Sequence, residues 1–159
     1  MNILYICTHN RCRSILCETI TNQKAQGLIK ACSAGSQPAG QVHPLTLTYL
    51  GKTGYDTAGL RSKSWEDLAG FVPDIIVTVC DQAVGESCPL WLGDTPKLHW
   101  GLCDPSKIVG DEEQKRLAFL ATINEIEQRV DALSRVAKLG KPQQIAALQQ
   151  LITASQNNA

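Results

Sequence analysis

Asn2-Ile3-Leu4-Tyr5-Ile6-Cys7-Thr8-His9-Asn10-Arg11-Cys12-Arg13-Ser14 reads as a strand, a polar turn and the start of a helix. Residues 2–6 have the length and apolar content of a buried strand. From Ser14 onward Ile15, Leu16, Ile20 and Ala25 recur at helical spacing, and Gly27 follows where a glycine C-cap belongs, so a helix is predicted over 14–26. The alternation continues down the chain. Strands are predicted over 30–34, 74–79 and 97–100. In the third, Ile75-Ile76-Val77-Thr78-Val79 is a β-branched run without alternation, which suits a central strand covered on both faces. Pro44 starts a second helix carrying Leu45, Leu47 and Leu50, with Gly51 or Gly54 as its stop. The longest helix begins at Asp111-Glu112-Glu113, acids suited to the positive end of the helix dipole. Its apolar stripe is Leu117, Leu120, Ile123, Ile126, Val130 and Leu133. Gly140-Lys141-Pro142 breaks it, and Ile145, Leu148 and Leu151 indicate one more amphipathic helix. Strands separated by helices form βαβ units. The predicted fold class is therefore α/β, a three-layer sandwich with a central four-stranded parallel sheet and helices on both faces. Residues 1–140 form its domain, and 141–159 are a C-terminal helical extension of the same domain.

Composition narrows the function. The chain has 159 residues, 15 basic and 15 acidic side chains, and a formal charge of zero. A phosphate-backbone binder would carry a basic excess, so no nucleic-acid partner is expected. No apolar run approaches the roughly 18 residues of a membrane span, so no membrane partner is expected either. Residues 2–7 lack the basic lead-in of a signal peptide, and a cytoplasmic location is expected. There the seven cysteines read as thiols, some of them reactive, rather than as a disulfide scaffold.

The polar turn carries the most chemistry. In an open α/β sheet, ligands bind beyond the carboxyl ends of the strands, close to helix N-termini. A loop there aims backbone N–H groups at one point and adds the positive helix end, which makes a site for a tetrahedral oxyanion. Cys7 at its mouth is expected to have its pKa lowered by the dipole and by Arg13, and Arg13 can hold two oxygens of the anion in its planar fork. Ser14 can offer its hydroxyl to Cys7, and Asn10 suits a left-handed kink within the loop. Glu18, on the following helix, either bonds back to Asn10 or faces solvent. Cys12, Cys17 and Cys32 read as structural, the latter two as small core residues. His43 and His99 read as a pre-helix residue and a strand residue, and Cys103 as a chance neighbour of Asp104.

The Cys7-x5-Arg13-Ser14 loop resembles the signature of the low-molecular-weight protein tyrosine phosphatases and of the arsenate reductases that share their fold. The resemblance covers most of the chain. The stretch from Tyr55-Asp56 to Arg61-Ser62-Lys63 is similar to the family's segment before the third strand, and Asp104-Pro105 stands where the family places its general acid. It implies a Cys7 nucleophile, oxyanion binding by Thr8, His9, Asn10, Arg11, Cys12 and Arg13, and protonation of the departing oxygen by Asp104.

Both branches of the family begin with Cys7 attacking the central atom, and they part at the second step. A phosphatase hydrolyses its phosphocysteine; a reductase needs another thiol to attack Cys7 and expel arsenite. Cys80 closes the central strand, and Cys88 follows it. Because parallel strands share one carboxyl edge, Cys80 and Cys7 are expected to be near neighbours. Ser106 and Lys107 follow Asp104-Pro105 in place of the aromatic of a tyrosine phosphatase. The resemblance thus points to a cytoplasmic, thiol-dependent arsenate reductase for arsenic detoxification. The resemblance implies that Cys80 attacks Cys7 and Cys88 then takes over, ending in a Cys80–Cys88 disulfide, with Cys88 itself or an external thiol as the alternative resolving thiol. The seven-residue gap between those cysteines is longer than in the thioredoxin-coupled branch, so the donor is either thioredoxin or glutathione with glutaredoxin. No metal or other cofactor is expected, and the chain is expected to be a monomer. The alternatives are a phosphotyrosine phosphatase and a protein that captures arsenite or zinc on Cys80, Cys88 and Cys103.

Overall fold

The computed structural model describes residues 1–80 and 92–157. It is a three-layer α/β sandwich. The sheet has strands β1 (Asn2–Ile6), β2 (Lys30–Ala34), β3 (Ile75–Thr78) and β4 (Lys97–His99), in the order β2-β1-β3-β4 with every pairing parallel. The helices are α1 (Arg13–Lys24), α2 (Pro44–Lys52), α3 (Glu112–Ala137) and α4 (Lys141–Asn157). Every residue of β3 is buried, as the uninterrupted apolar run requires of a strand packed on both faces.

The strand order positions the site. The chain leaves β1 for β2 on one side and returns to β3 on the other, so the carboxyl end of β1 lies where the topology switches direction. Crevices at such points receive ligands. Ile6 is in register with Thr78, and the amide of Val79 donates to Ile6 O at 3.0 Å. That register carries Cys7 and Thr8 alongside Val79 and Cys80.

Several boundaries differ from the sequence reading for local reasons. Helix α1 ends at Lys24, because Gln26 and Gly27 both take positive φ. Leu117 is 53% exposed, whereas Phe119, outside the predicted stripe, is fully buried. Its ring stacks on Tyr49 of α2 at 4.9 Å between centroids, and that contact rotates the buried face of α3. Cys32 is half-buried rather than a core residue, because β2 is an edge strand. Helix α4, at 17 residues, is longer than the short amphipathic helix that Ile145, Leu148 and Leu151 indicate. It packs on β4 and α3, buries Leu148, and is tied to the amino edge of the sheet by Lys141 and Asp74 at 2.7 Å. Among the described residues, no helix is long and apolar enough to cross a membrane.

Candidate active site

Residues 7–12 form a loop between β1 and α1 whose carbonyls are pulled outward. Thr8 O accepts from the amide of Gln37, His9 O from the amide of Ala39 and Ser62 Oγ, and Arg11 O from the amide of His43. A trans peptide unit directs its N–H opposite to its C=O. The amides of His9, Asn10 and Cys12 therefore turn to the inner face of the loop, and the His9 amide donates to the Cys7 sulfur. Helix α1 has no acidic residue in its first turn, so no carboxylate of that turn competes for its positive end.

Asn10 makes the curl possible. Its φ of 44° lies in the left-handed region, as the sequence reading expects, and its side chain is buried beneath the loop. Nδ2 donates to Ser14 Oγ at 2.8 Å and to Ser33 Oγ at 2.9 Å, while Oδ1 accepts the Lys63 amide at 2.8 Å. Ser14 Oγ accepts from Asn10, which leaves its hydroxyl hydrogen unspent by that bond. Glu18 neither reaches Asn10 nor faces solvent. It pairs with Lys63 Nζ at 3.0 Å and accepts a short bond from Ser33. This network fixes Asn10 from below, and nothing in the sequence signals that Lys63, 45 residues from Glu18, completes it. Gly35 clamps the loop from the side. A Cβ there would meet Thr8 O at 2.5 Å and Cys7 O at 2.9 Å.

The loop opens into a cavity of about 210 Å³ lined by Cys7, Thr8, His9, Arg11, Cys12 and Arg13 together with Ala39, His43, Asp104, Ser106 and Lys107. Arg11, Arg13 and Lys107 set three cations against one carboxylate, so the cavity favours an anion. Arg13 Nη1 donates to Leu102 O at 2.9 Å and Nη2 lies 3.3 Å from Asp104 Oδ2. Arg13 Nε is buried without a hydrogen-bond partner among the described residues, which leaves one donor of the fork unused by protein. Asp104 Oδ1 accepts from the Ser106 amide and hydroxyl, at 3.0 and 2.6 Å. Asp104-Pro105 is therefore a turn cap as well as a wall of the cavity.

Cys80 sits beside Cys7, as the shared strand edge predicts. The two thiols are close enough to couple, and Thr8 Oγ1 lies 3.7 Å from Cys80 Sγ. This contact overturns the expected acidity of Cys7. The bond to Cys80, burial, and the charge Cys80 would carry all push the Cys7 thiol up, against the opposing pull of Arg13 and the His9 amide. Two buried sulfurs in contact cannot both ionise readily. Burial also pushes Cys12 up to about 12 and raises Cys17, in keeping with structural roles. Cys103 is exposed, while Cys88 lies outside the described residues. Among the described residues, no three His, Cys, Asp or Glu side chains are grouped to hold a metal ion.

The model of the low molecular weight phosphotyrosine protein phosphatase family matches residues 2–145. The chain belongs to that family. Within the low molecular weight phosphotyrosine protein phosphatase family it is similar to an arsenate reductase of Bacillus subtilis strain 168, 29% identical over 136 residues that span 86% of this chain and 96% of that one. A glutaredoxin arsenate reductase of Synechocystis is 25% identical over 137 residues, covering 86% and 97%. The structure of a thioredoxin-dependent arsenate reductase of Corynebacterium glutamicum superposes with a TM-score of 0.65 at 26% identity, over 86% of this chain and 61% of that one.

Proposed function

We propose that this protein reduces arsenate to arsenite with Cys7 as nucleophile and Cys80 as the thiol that resolves the adduct. The observation that carries this reading is the coupling of Cys80 to Cys7, a residue that lines the cationic cavity. A hydrolytic phosphatase has no use for a second thiol there, because water completes its cycle. The arsenate reductases among its relatives support the same branch.

The loop amides and Arg13 hold the arsenate oxygens. The Cys7 sulfur attacks arsenic as its proton passes to an arsenate oxygen, and a sulfur–arsenic bond forms while one arsenic–oxygen bond breaks and that oxygen leaves as water with a proton from Asp104. An anion that engages Arg13 competes with Asp104 for Nη2, which turns the carboxyl toward the departing oxygen. The Cys80 thiolate then attacks the Cys7 sulfur. The sulfur–arsenic bond breaks, its electron pair stays on arsenic, and arsenite departs from a Cys7–Cys80 disulfide. Arsenic gains the two electrons that the thiols lose. A thiol donor, thioredoxin or glutathione with glutaredoxin, restores the pair, either directly or after Cys88 has displaced Cys7 from Cys80. The chemistry suits detoxification of arsenate in a reducing compartment, and no metal is called for.

Steady-state arsenite formation tests the reading. Wild-type protein supplied with arsenate and one of the two donor systems should form arsenite, and Cys80→Ser should lose at least about a hundredfold of that rate, the scale of deleting an essential nucleophile. Aryl phosphate hydrolysis that is fast in wild type and unchanged in Cys80→Ser, with no arsenite formed, would assign the protein to the hydrolytic branch.

A further inference from the structure

The steps above leave His43 without a role, although it lines the same cavity as Cys7, Arg13 and Asp104. His43 is the N-cap of α2. Its Nδ1 accepts from the amide of Leu45 at 3.1 Å, and its own amide donates to Arg11 O at 2.9 Å, so the residue is fastened to the helix and to the anion loop at once. A ring nitrogen that accepts a hydrogen bond carries no proton, and in the neutral imidazole the proton then sits on the other nitrogen. The main chain of α2 thus fixes the tautomer with hydrogen on Nε2. Among the described residues no protein acceptor takes that hydrogen.

The residue type is informative. Helix caps are ordinarily Ser, Thr, Asp or Asn, whose short side chains are consumed by the cap. Histidine caps through one edge of its ring and keeps a donor on the opposite edge. Burial and Arg11 lower its pKa from the ordinary value, with Asp104 pulling the other way, so the neutral donor form prevails at neutral pH.

We propose that His43 is an oxyanion-binding residue of this cavity, whose Nε2–H supplements Arg13 and the loop amides as a donor to an arsenate or phosphate oxygen. The inference rests on reading the cavity as the arsenate site, but its test does not require turnover. His43→Asn keeps an acceptor at the position of Nδ1, and with it the cap, while removing the far donor. His43→Gln extends an amide N–H toward the position of Nε2 and weakens the cap. Inorganic phosphate binding by titration calorimetry, together with thermal unfolding, separates the two functions of the ring. His43→Asn should unfold like wild type yet bind phosphate about ten- to a hundredfold more weakly, the scale of one hydrogen bond to a charged group. His43→Gln should lose stability and keep most of the affinity. Affinity that tracks stability across both variants, or full affinity in His43→Asn, would overturn the proposal and leave the histidine a cap. Loss of phosphate affinity in His43→Asn alongside absent arsenate reduction in wild type would uphold the oxyanion role and reject the reductase reading. The reverse pair of results would do the opposite.

Discussion

Cys7 and Cys80 are coupled, and the coupling holds the proton on Cys7, which sets a measurable reactivity. Removing Cys80 takes away the bond and the opposing charge that raise the Cys7 thiol, leaving Arg13 and the His9 amide to lower it. Cys80→Ala should therefore shift the pH midpoint of Cys7 alkylation by iodoacetamide downward, and an unchanged midpoint would contradict the coupling. Asn10 shows what was legible at this scale, because a left-handed position inside a polar loop narrows the residue type to a few. The acidity of Cys7 was misread because dipole and arginine are visible in the local sequence, whereas the neighbouring sulfur arrives from residue 80. His43 reads as a pre-helix residue in the sequence for the same reason, since it joins the cavity lining only once α2 is packed.

The anion loop is an element whose shape is imposed by its neighbours. Gly35→Ala would drive a methyl group to 2.5 Å from Thr8 O, so either the loop or the end of β2 must shift. Overpacking of this kind costs about 1–3 kcal/mol, and phosphate affinity should fall with it; urea unfolding and calorimetry check both. Lys63→Met leaves Glu18, only 16% exposed, without its cation. Breaking a mostly buried pair from one side should cost about 3 kcal/mol in the same unfolding assay. A loss near zero would mean that solvent screens the pair. Four strands and four helices were recovered from apolar period, first-turn proline and capping acids, because those signals are local. The misplaced face of α3 came from Phe119, whose burial depends on the Tyr49 ring across the packing interface.

At the scale of the whole molecule, Cys7, Cys12 and Cys17 are buried thiols whose protons are held. Cys12 is pushed up to about 12, while an unfolded thiol titrates near 8.5. Below about 8.5 both states keep the proton and the contribution to stability is complete. Above that value the unfolded chain binds fewer protons than the native one, so stability should fall steadily as pH rises toward 12, as urea titrations at stepped pH will show. Helix α4 lies mostly past the residue at which the family match ends. Truncation after Gly140 exposes the site of Leu148 and removes the Lys141–Asp74 pair, and it should cost about 3 kcal/mol of stability. The anion loop sits at the opposite edge of the sheet, so phosphate affinity should survive the truncation. The most direct measurement is a single turnover of Cys88→Ser with arsenate and no external reductant, quenched with iodoacetamide and mapped by peptide mass spectrometry. Reduction through the Cys7–Cys80 pair predicts stoichiometric arsenite and a peptide cross-linked between Cys7 and Cys80. Arsenite released while Cys80 remains fully alkylated, or no arsenite at all, would contradict it.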